Sequence, residues 1–145
     1  MITKKKLVNS LATTNNTSKK QRMTTQRKLI LTVLRSTTSH PTADWIYHKV
    51  REEMPNISLG TVYRNLGLLA DSGQILELKY STGQSHYDGN PVPHYHFRCE
   101  ECSRVYDLPL DYKPELDAEA KSISSHQIDC HRLEFFGTCS DCHSQ

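Results

Sequence analysis

Residues 58–88 read SLGTVYRNLGLLADSGQILELKYSTGQSHYD, and the hydrophobic period changes in the middle of this stretch. Its first half puts Val62, Leu66 and Leu69 on one stripe at helical spacing. Ser58 stands where a cap belongs and Gly73 where a helix stops. Its second half is two short strand-like runs, Gln74–Tyr80 and Gln84–Asp88, joined by Ser81-Thr82-Gly83, which reads as a hairpin. Upstream, a helix is expected from about Thr25 to Arg35 with Leu29, Ile30, Val33 and Leu34 on one face. His40-Pro41 breaks the chain. Thr42 then caps a second helix whose stripe is Trp45, Ile46, Val50 and Met54, with Pro55 just past its end. Three helices, the last two close together, followed by a hairpin describe a winged helix-turn-helix; the alternative is a helical bundle with a stray hairpin.

Asn90-Pro91-Val92-Pro93 is the clearest boundary. Beyond it, His94–Arg98, Arg104–Leu108 and about Gln127–Phe136 have strand character. Pro114 to Ser122 suits a helix with proline and acidic residues in its first turn. The expected class is therefore α+β: a winged-helix domain over residues 21–89, a linker at 90–93, and a small α/β dimerisation and metal-binding domain over 94–145. Residues 1–20 read as a flexible arm or a short helix, because Leu7, Val8 and Leu11 have helical spacing in a segment too short to stand alone. A β-α-β unit this small leaves strand edges open, and pairing with a second copy would cover them.

At 145 residues, with 36% hydrophobic side chains, the chain has room for modest cores and not for a large enzyme fold with a deep pocket. No apolar run approaches the roughly 18 residues of a membrane span, and no apolar stretch follows the basic N-terminus as in a secretory signal, so a cytoplasmic location is expected. The net charge of +2 hides an asymmetry. Residues 1–72 carry 12 Lys/Arg against 4 Asp/Glu, whereas residues 73–145 carry 6 against 12. A basic half suits a polyanion, although a solvated Lys-rich tail would give the same balance.

The third helix is the candidate reader of DNA. Thr61, Tyr63 and Arg64 lie off its apolar stripe beside the cap Ser58, and arginine can bridge guanine O6 and N7 in the major groove. Lys19, Lys20, Arg22, Arg27 and Lys28 would add sequence-independent attraction to phosphates. In the acidic half, Cys99-Glu-Glu-Cys102 and Cys139-Ser-Asp-Cys142 form two C-x-x-C pairs with 36 residues between them. Four thiolates suit tetrahedral zinc with no open position, a structural site; a redox dithiol switch is the competing reading. The fifth cysteine, Cys130, is expected as a small side chain within a strand. His94-Tyr-His96 places two imidazoles on one face of a strand. With Asp107, Asp88 and His40 they make a mixed nitrogen and oxygen set suited to iron(II) or manganese(II). A site drawing on both halves would couple metal binding to DNA affinity.

These motifs resemble the ferric-uptake-regulator (Fur) superfamily, and its peroxide-sensor (PerR) branch in particular. The resemblance runs from about Arg22 to Cys142 through His40-Pro-Thr-Ala-Asp-Trp-Ile-Tyr47, Ser58-Leu-Gly-Thr-Val-Tyr-Arg-Asn-Leu66, His94-Tyr-His-Phe-Arg-Cys-Glu-Glu-Cys102 and His131-Arg-Leu-Glu-Phe-Phe-Gly-Thr-Cys139. It implies a homodimeric repressor that binds double-stranded operator DNA when loaded with metal. It assigns Cys99, Cys102, Cys139 and Cys142 to structural zinc, and His40, Asp88, His94, His96 and Asp107 to a regulatory iron or manganese site. Aspartate at both 88 and 107, where iron-uptake members generally carry glutamate, points to the peroxide branch. There iron(II) reacts with hydrogen peroxide and a ligand histidine, His40 or His94, is oxidised. The second metal site of many iron-uptake members needs ligands where this chain has Pro93 and Tyr95, so none is expected around His131. Arg64 stands where peroxide sensors often carry asparagine and so resembles the iron-uptake branch.

The expected function is thus a metal-dependent, peroxide-responsive repressor and not an enzyme. The rivals are an iron-responsive repressor of metal-uptake genes, a zinc-uptake regulator, a thiol redox protein using the C-x-x-C pairs, and a metallohydrolase using His94 and His96. The last lacks an evident general base or substrate pocket.

Overall fold

The structure, a computed structural model, describes residues 22–81 and 83–144. Lys19 and Lys20 lie outside the described residues, as does the expected arm over 1–20. The described residues fall into two compact units, one ending at Pro91 and the other beginning at Val92.

The first unit is built from α1 (Thr25–Arg35), α2 (Ala43–Glu53), α3 (Leu59–Asp71) and an antiparallel pair, β1 (Leu76–Leu78) and β2 (His86–Asp88). Each helix begins at a hydroxyl. Thr24, Thr42 and Ser58 accept from the N–H groups of Arg27, Trp45 and Thr61, donors that a helix's first turn leaves without partners. Helix α3 ends ahead of Gly73, whose φ of 68° is a left-handed conformation that glycine adopts without a Cβ clash.

The three helices enclose one core of Ile30, Leu31, Leu34, Ala43, Ile46, Val50, Val62, Leu66 and Leu69, with Ile57, Ile75 and Tyr87 completing it. The buried faces differ from the expected ones in two places. In α1 the buried apolar residues are Ile30, Leu31 and Leu34, while Leu29 and Val33 are only partly covered. In α2 Trp45 is 38% exposed and Ala43 takes the buried place. Ala43, Ile46 and Val50 make a continuous stripe, and a residue at 45 falls about 100° away from its neighbour at 46.

Arg27 also departs from expectation. It is 8% exposed, so it is not a surface phosphate contact. Its Nε donates to Asn65 Oδ1 at 3.2 Å, a terminal nitrogen donates to the Arg22 carbonyl at 3.2 Å, and Asn65 donates to the Thr61 carbonyl at 2.8 Å. The charge joins α1 to α3. Asn65→Ala is expected to leave the guanidinium short of an acceptor at a cost of about 1–3 kcal/mol, lowering the urea midpoint without changing the slope. A midpoint equal to that of the parent would show that water takes over the bond.

The hairpin is shorter than its sequence suggests. Leu76 pairs with Asp88, Glu77 with Tyr87 and Leu78 with His86, and the strands stop there. The other edge of β2 is occupied by the residues just before α2: Thr42 bridges His86, and the Tyr87 N–H donates to the Pro41 carbonyl at 2.9 Å.

The second unit is a three-stranded sheet in the order β4-β3-β5, from β3 (His96–Cys99), β4 (Val105–Asp107) and β5 (Glu134–Gly137), with α4 (Glu115–Ser122) and a single turn, α5 (Ser140–His143). Strands β3 and β4 are antiparallel; β3 and β5 are parallel. The strand expected over about 127–136 contracts to Glu134–Gly137 because its partner is only four residues long, and the ladder opens at His96 opposite Glu134. Cys130 therefore precedes the strand and does not sit in it. Among the described residues of this unit, the buried apolar side chains are Tyr95, Cys99, Val105 and Cys139. That core is too small to hold a fold of this size without a staple. The architecture is a winged helix-turn-helix followed by a small α/β domain. No helix among the described residues is long and apolar enough to cross a membrane.

Candidate metal centres

Cys99 ends β3 and Cys139 comes two residues after β5. The parallel register sets Cys99 opposite Gly137, so both C-x-x-C turns leave the sheet at the same end. Sequence distance thereby becomes spatial contact. The four sulfurs of Cys99, Cys102, Cys139 and Cys142 lie within 4.8 Å of one another, with Cys102 and Cys139 at 3.8 Å. Each turn closes on itself: the Ser103 N–H reaches the Cys99 carbonyl at 3.0 Å, and the His143 N–H reaches the Cys139 carbonyl at 2.8 Å.

The Cys99 sulfur accepts N–H groups from Cys102 at 3.5 Å and Cys139 at 3.3 Å. These backbone donors, led by that of Cys102, pull its thiol down to about 6. Cys139 is lowered as well, chiefly by the Cys142 N–H. Cys142 is pushed up to about 12 by the sulfurs of Cys139 and Cys102. Thiolate is thus favoured at two sulfurs and resisted at a third, a conflict that a shared cation removes. The donor set fits a four-coordinate metal ion with no position left for substrate.

The nitrogen and oxygen residues make contacts inside each unit. In the first, His40 Nε2 lies 3.3 Å from Asp88 Oδ2, and His40 is buried at a φ of 49°. In the second, Asp107 Oδ1 lies 2.9 Å from His94 Nε2 and 3.5 Å from His96 Nε2. His96 stands opposite Asp107 in the β3–β4 pair. The tautomer of His94 follows from its other nitrogen. Nδ1 is 2.6 Å from the Val92 carbonyl, which can only accept, so Nδ1 carries hydrogen. In the neutral ring, Nε2 then points a lone pair at a carboxylate oxygen. A proton or a metal cation between the two resolves that contact, as expected of a ligand whose remote nitrogen is held by a carbonyl.

On α3, Tyr63 and Arg64 are exposed, and Val62, Leu66 and Leu69 face inward. The Tyr63 hydroxyl donates to Asp44 on α2 at 3.5 Å, which steadies the ring against the preceding helix. The Ser58 and Thr61 hydroxyls bond to each other at 2.9 Å while Ser58 caps the helix. Arg22 and Arg64 line the same open cleft of about 350 Å³ at the start of α1.

Three groups were not singled out by sequence reasoning. His86 bonds the His40 carbonyl, Asn65 holds Arg27, and a chain of polar side chains surrounds His131. Tyr95, 1% exposed, accepts from the Lys113 N–H at 3.0 Å and donates to His131 Nε2 at 2.8 Å; His131 Nδ1 faces Asp117 Oδ1 at 2.8 Å. Tyr112 stacks on the imidazole with 4.7 Å between centroids. No sequence period marks such a chain, because its members come from four separate segments.

Comparison with known proteins gives a consistent picture. The model of the ferric uptake regulator family matches residues 18–136. The peroxide-responsive repressor PerR of Staphylococcus aureus is 38% identical over 121 residues, covering 83% of this chain and 82% of that protein. The Campylobacter jejuni peroxide stress regulator superposes with a TM-score of 0.66 at 27% identity, over 81% of this chain and 88% of that one. The Vibrio cholerae ferric uptake regulator, described for a rearrangement of its DNA-binding domains, gives 0.65 at 28% identity over 81% and 92%.

Proposed function

The chain belongs to the ferric uptake regulator family, and we propose that it is a cytoplasmic, metal-dependent repressor that senses hydrogen peroxide through oxidation of a ligand histidine, His40 or His94. The observation that carries the reading is the placing of an aspartate against each candidate imidazole. Asp88 lies against His40, and Asp107 against His94 and His96. Aspartate at both positions is the pattern that the peroxide branch resembles, and the S. aureus repressor supports the same branch.

In this reading Cys99, Cys102, Cys139 and Cys142 hold zinc, which takes over the work of a core in the second unit. His40 and Asp88 from one unit, and His94, His96 and Asp107 from the other, supply the ligands of one regulatory iron(II) or manganese(II) ion. An ion held by both units couples occupancy of that site to the binding of DNA. Iron(II), when bound, supplies the electron that cleaves peroxide and exposes a neighbouring imidazole to oxidation. The residues do the rest. The Val92 carbonyl keeps the His94 proton on Nδ1, and Asp88 and Asp107 hold the rings in place. An imidazole that gains oxygen loses its lone pair as a ligand, the site weakens, and DNA is released.

Ser58, Thr61, Tyr63 and Arg64 would meet the operator, with Lys19, Lys20 and Arg22 on phosphates. A second copy of the chain would cover the open edge of β5, where Phe136 is 53% exposed beside Leu133 and Phe135. Nothing in this scheme requires turnover, so the protein acts as a regulator and not an enzyme.

The test is DNA binding by zinc-replete protein loaded anaerobically with iron(II) or manganese(II), before and after near-stoichiometric peroxide. Loss of binding in the iron form alone, with one oxygen added to the peptide containing His40 or His94, is the expected result. Retained binding with unmodified histidines would make the protein an iron-responsive repressor of the same fold. That second reading is favoured by Arg64.

A further inference from the structure

His40 is a buried residue in an unusual backbone state. Its φ of 49° lies in the left-handed region, which residues with a Cβ occupy only when their surroundings hold them there. What holds it is visible in β2. Asp88 and His86 are two residues apart on that strand and so project to the same side. Asp88 meets the His40 imidazole at 3.3 Å, and the His86 Nδ1 meets the His40 carbonyl at 2.6 Å. A carbonyl only accepts, so His86 Nδ1 is the donor, which fixes its tautomer. The flanking backbone is tied to the same strand through the Thr42 bridge to His86 and the Tyr87 N–H to the Pro41 carbonyl. On its other side the His86 ring meets Tyr80 edge-on, with 6.0 Å between centroids. Strand β2 therefore grips one residue at both ends, the ring by Asp88 and the main chain by His86.

We propose that His86 is a positioning residue for the regulatory metal site: its Nδ1–H holds the His40 carbonyl and thereby fixes the backbone from which the His40 ring reaches the ion. The inference rests on the reading of His40 as a ligand. Without His86 the His40 peptide relaxes toward ordinary backbone angles, and the ring leaves the geometry that the other ligands define. His86 itself need not touch the metal. Partners of this kind, which orient a ligand without binding the ion, change metal affinity by about 10–100-fold when removed.

The experiment uses full-length, zinc-replete protein. Manganese(II) binding is followed by the electron paramagnetic resonance signal of the free ion, for the parent, His86→Ala, His86→Asn and His40→Ala. Asparagine places an amide N–H close to where the imidazole Nδ1–H stood, so it restores the donor without restoring the ring. Thermal unfolding of each variant before manganese is added confirms that it is folded. The expected result is a loss of about tenfold or more in affinity for His86→Ala and recovery to near the parent for His86→Asn. Parent-like affinity in His86→Ala overturns the proposal, and so does equal weakening in both His86 variants, since a donor alone would then not suffice. The His40→Ala arm separates the two claims. If that variant binds manganese as the parent does, the regulatory-site reading fails; if it loses binding while His86→Ala does not, only the role of His86 fails.

Discussion

Cys139→Ser is expected to release zinc and, with it, the fold of residues 92–144. Structural zinc in a small domain contributes about 10–16 kcal/mol, whereas whole domains are stable by about 5–15 kcal/mol. With Tyr95, Cys99, Val105 and Cys139 as the buried apolar side chains described in this unit, nothing else there offsets such a loss. The first unit, with its own core, should persist. Limited proteolysis is therefore expected to cut freely beyond Val92 and to spare a fragment containing α1 to β2, while metal analysis shows less than one zinc per chain. A variant that lacks zinc yet resists protease throughout would mean that the sulfur cluster is incidental to the fold. Acid should act in the same direction as the substitution. The Cys99 thiol is depressed from an ordinary value of 9.0 to about 6, so the folded site favours thiolate above that point and loses the advantage as pH falls through it. Zinc retention is expected to fail on acidification, where protons compete with the ion for the four sulfurs, and not on a comparable alkaline excursion.

His40→Ala is the second large effect. Partners that merely orient a ligand are worth about 10–100-fold in affinity, and a ligand itself should be worth at least the upper end of that range. Manganese-dependent DNA binding is expected to fall accordingly, while zinc stays at one per chain. The control is His48→Ala, which removes an exposed histidine of α2 and should behave as the parent does. DNA binding by His40→Ala that still responds to manganese at parent concentrations would remove His40 from the site.

The helices of the first unit were legible because their signals are local. Thr42 and Ser58 act as caps three residues before the N–H they accept, and Gly73 stops α3 with its own backbone. Spacing alone also selected the cysteines, His94, His96 and Asp107. What escaped was set by tertiary contact. Nothing near Arg27 in the chain shows that Asn65, 38 residues away, will accept from it, so its charge reads as a surface one. Trp45 looks like a core residue by size, yet Ala43 holds the buried place on α2, and the larger ring is left partly in solvent. The length of β5 is overstated by the sequence because the run 127–136 has strand character throughout, whereas the ladder begins only where β3 begins, at His96 opposite Glu134. His86 and the polar chain around His131 escaped for one reason: each works through a partner from another segment, the His40 carbonyl in one case and Tyr95 with Asp117 in the other.

Strand β3 and the two residues before it leave little freedom for sequence drift. His94 and His96 face Asp107, Tyr95 is committed to Lys113 and His131, and Cys99 belongs to the sulfur cluster. A Cβ at Gly137 would stand in ordinary contact with the Phe97 ring, at 3.5 Å, so the ring bounds the space beside that glycine. Nearly every substitution here disturbs one metal centre or the contact between strands, and a change that suits one task is vetoed by its neighbour. Adaptation to another metal or oxidant would therefore have to proceed from outside this segment. The side-chain length at Asp88 and Asp107 is the open variable, because a longer carboxylate shifts its oxygens relative to His40, His94 and His96 while every histidine and cysteine is kept. Within such a lineage the histidines and cysteines would stay fixed while the acidic positions record the history of what the protein was selected to detect.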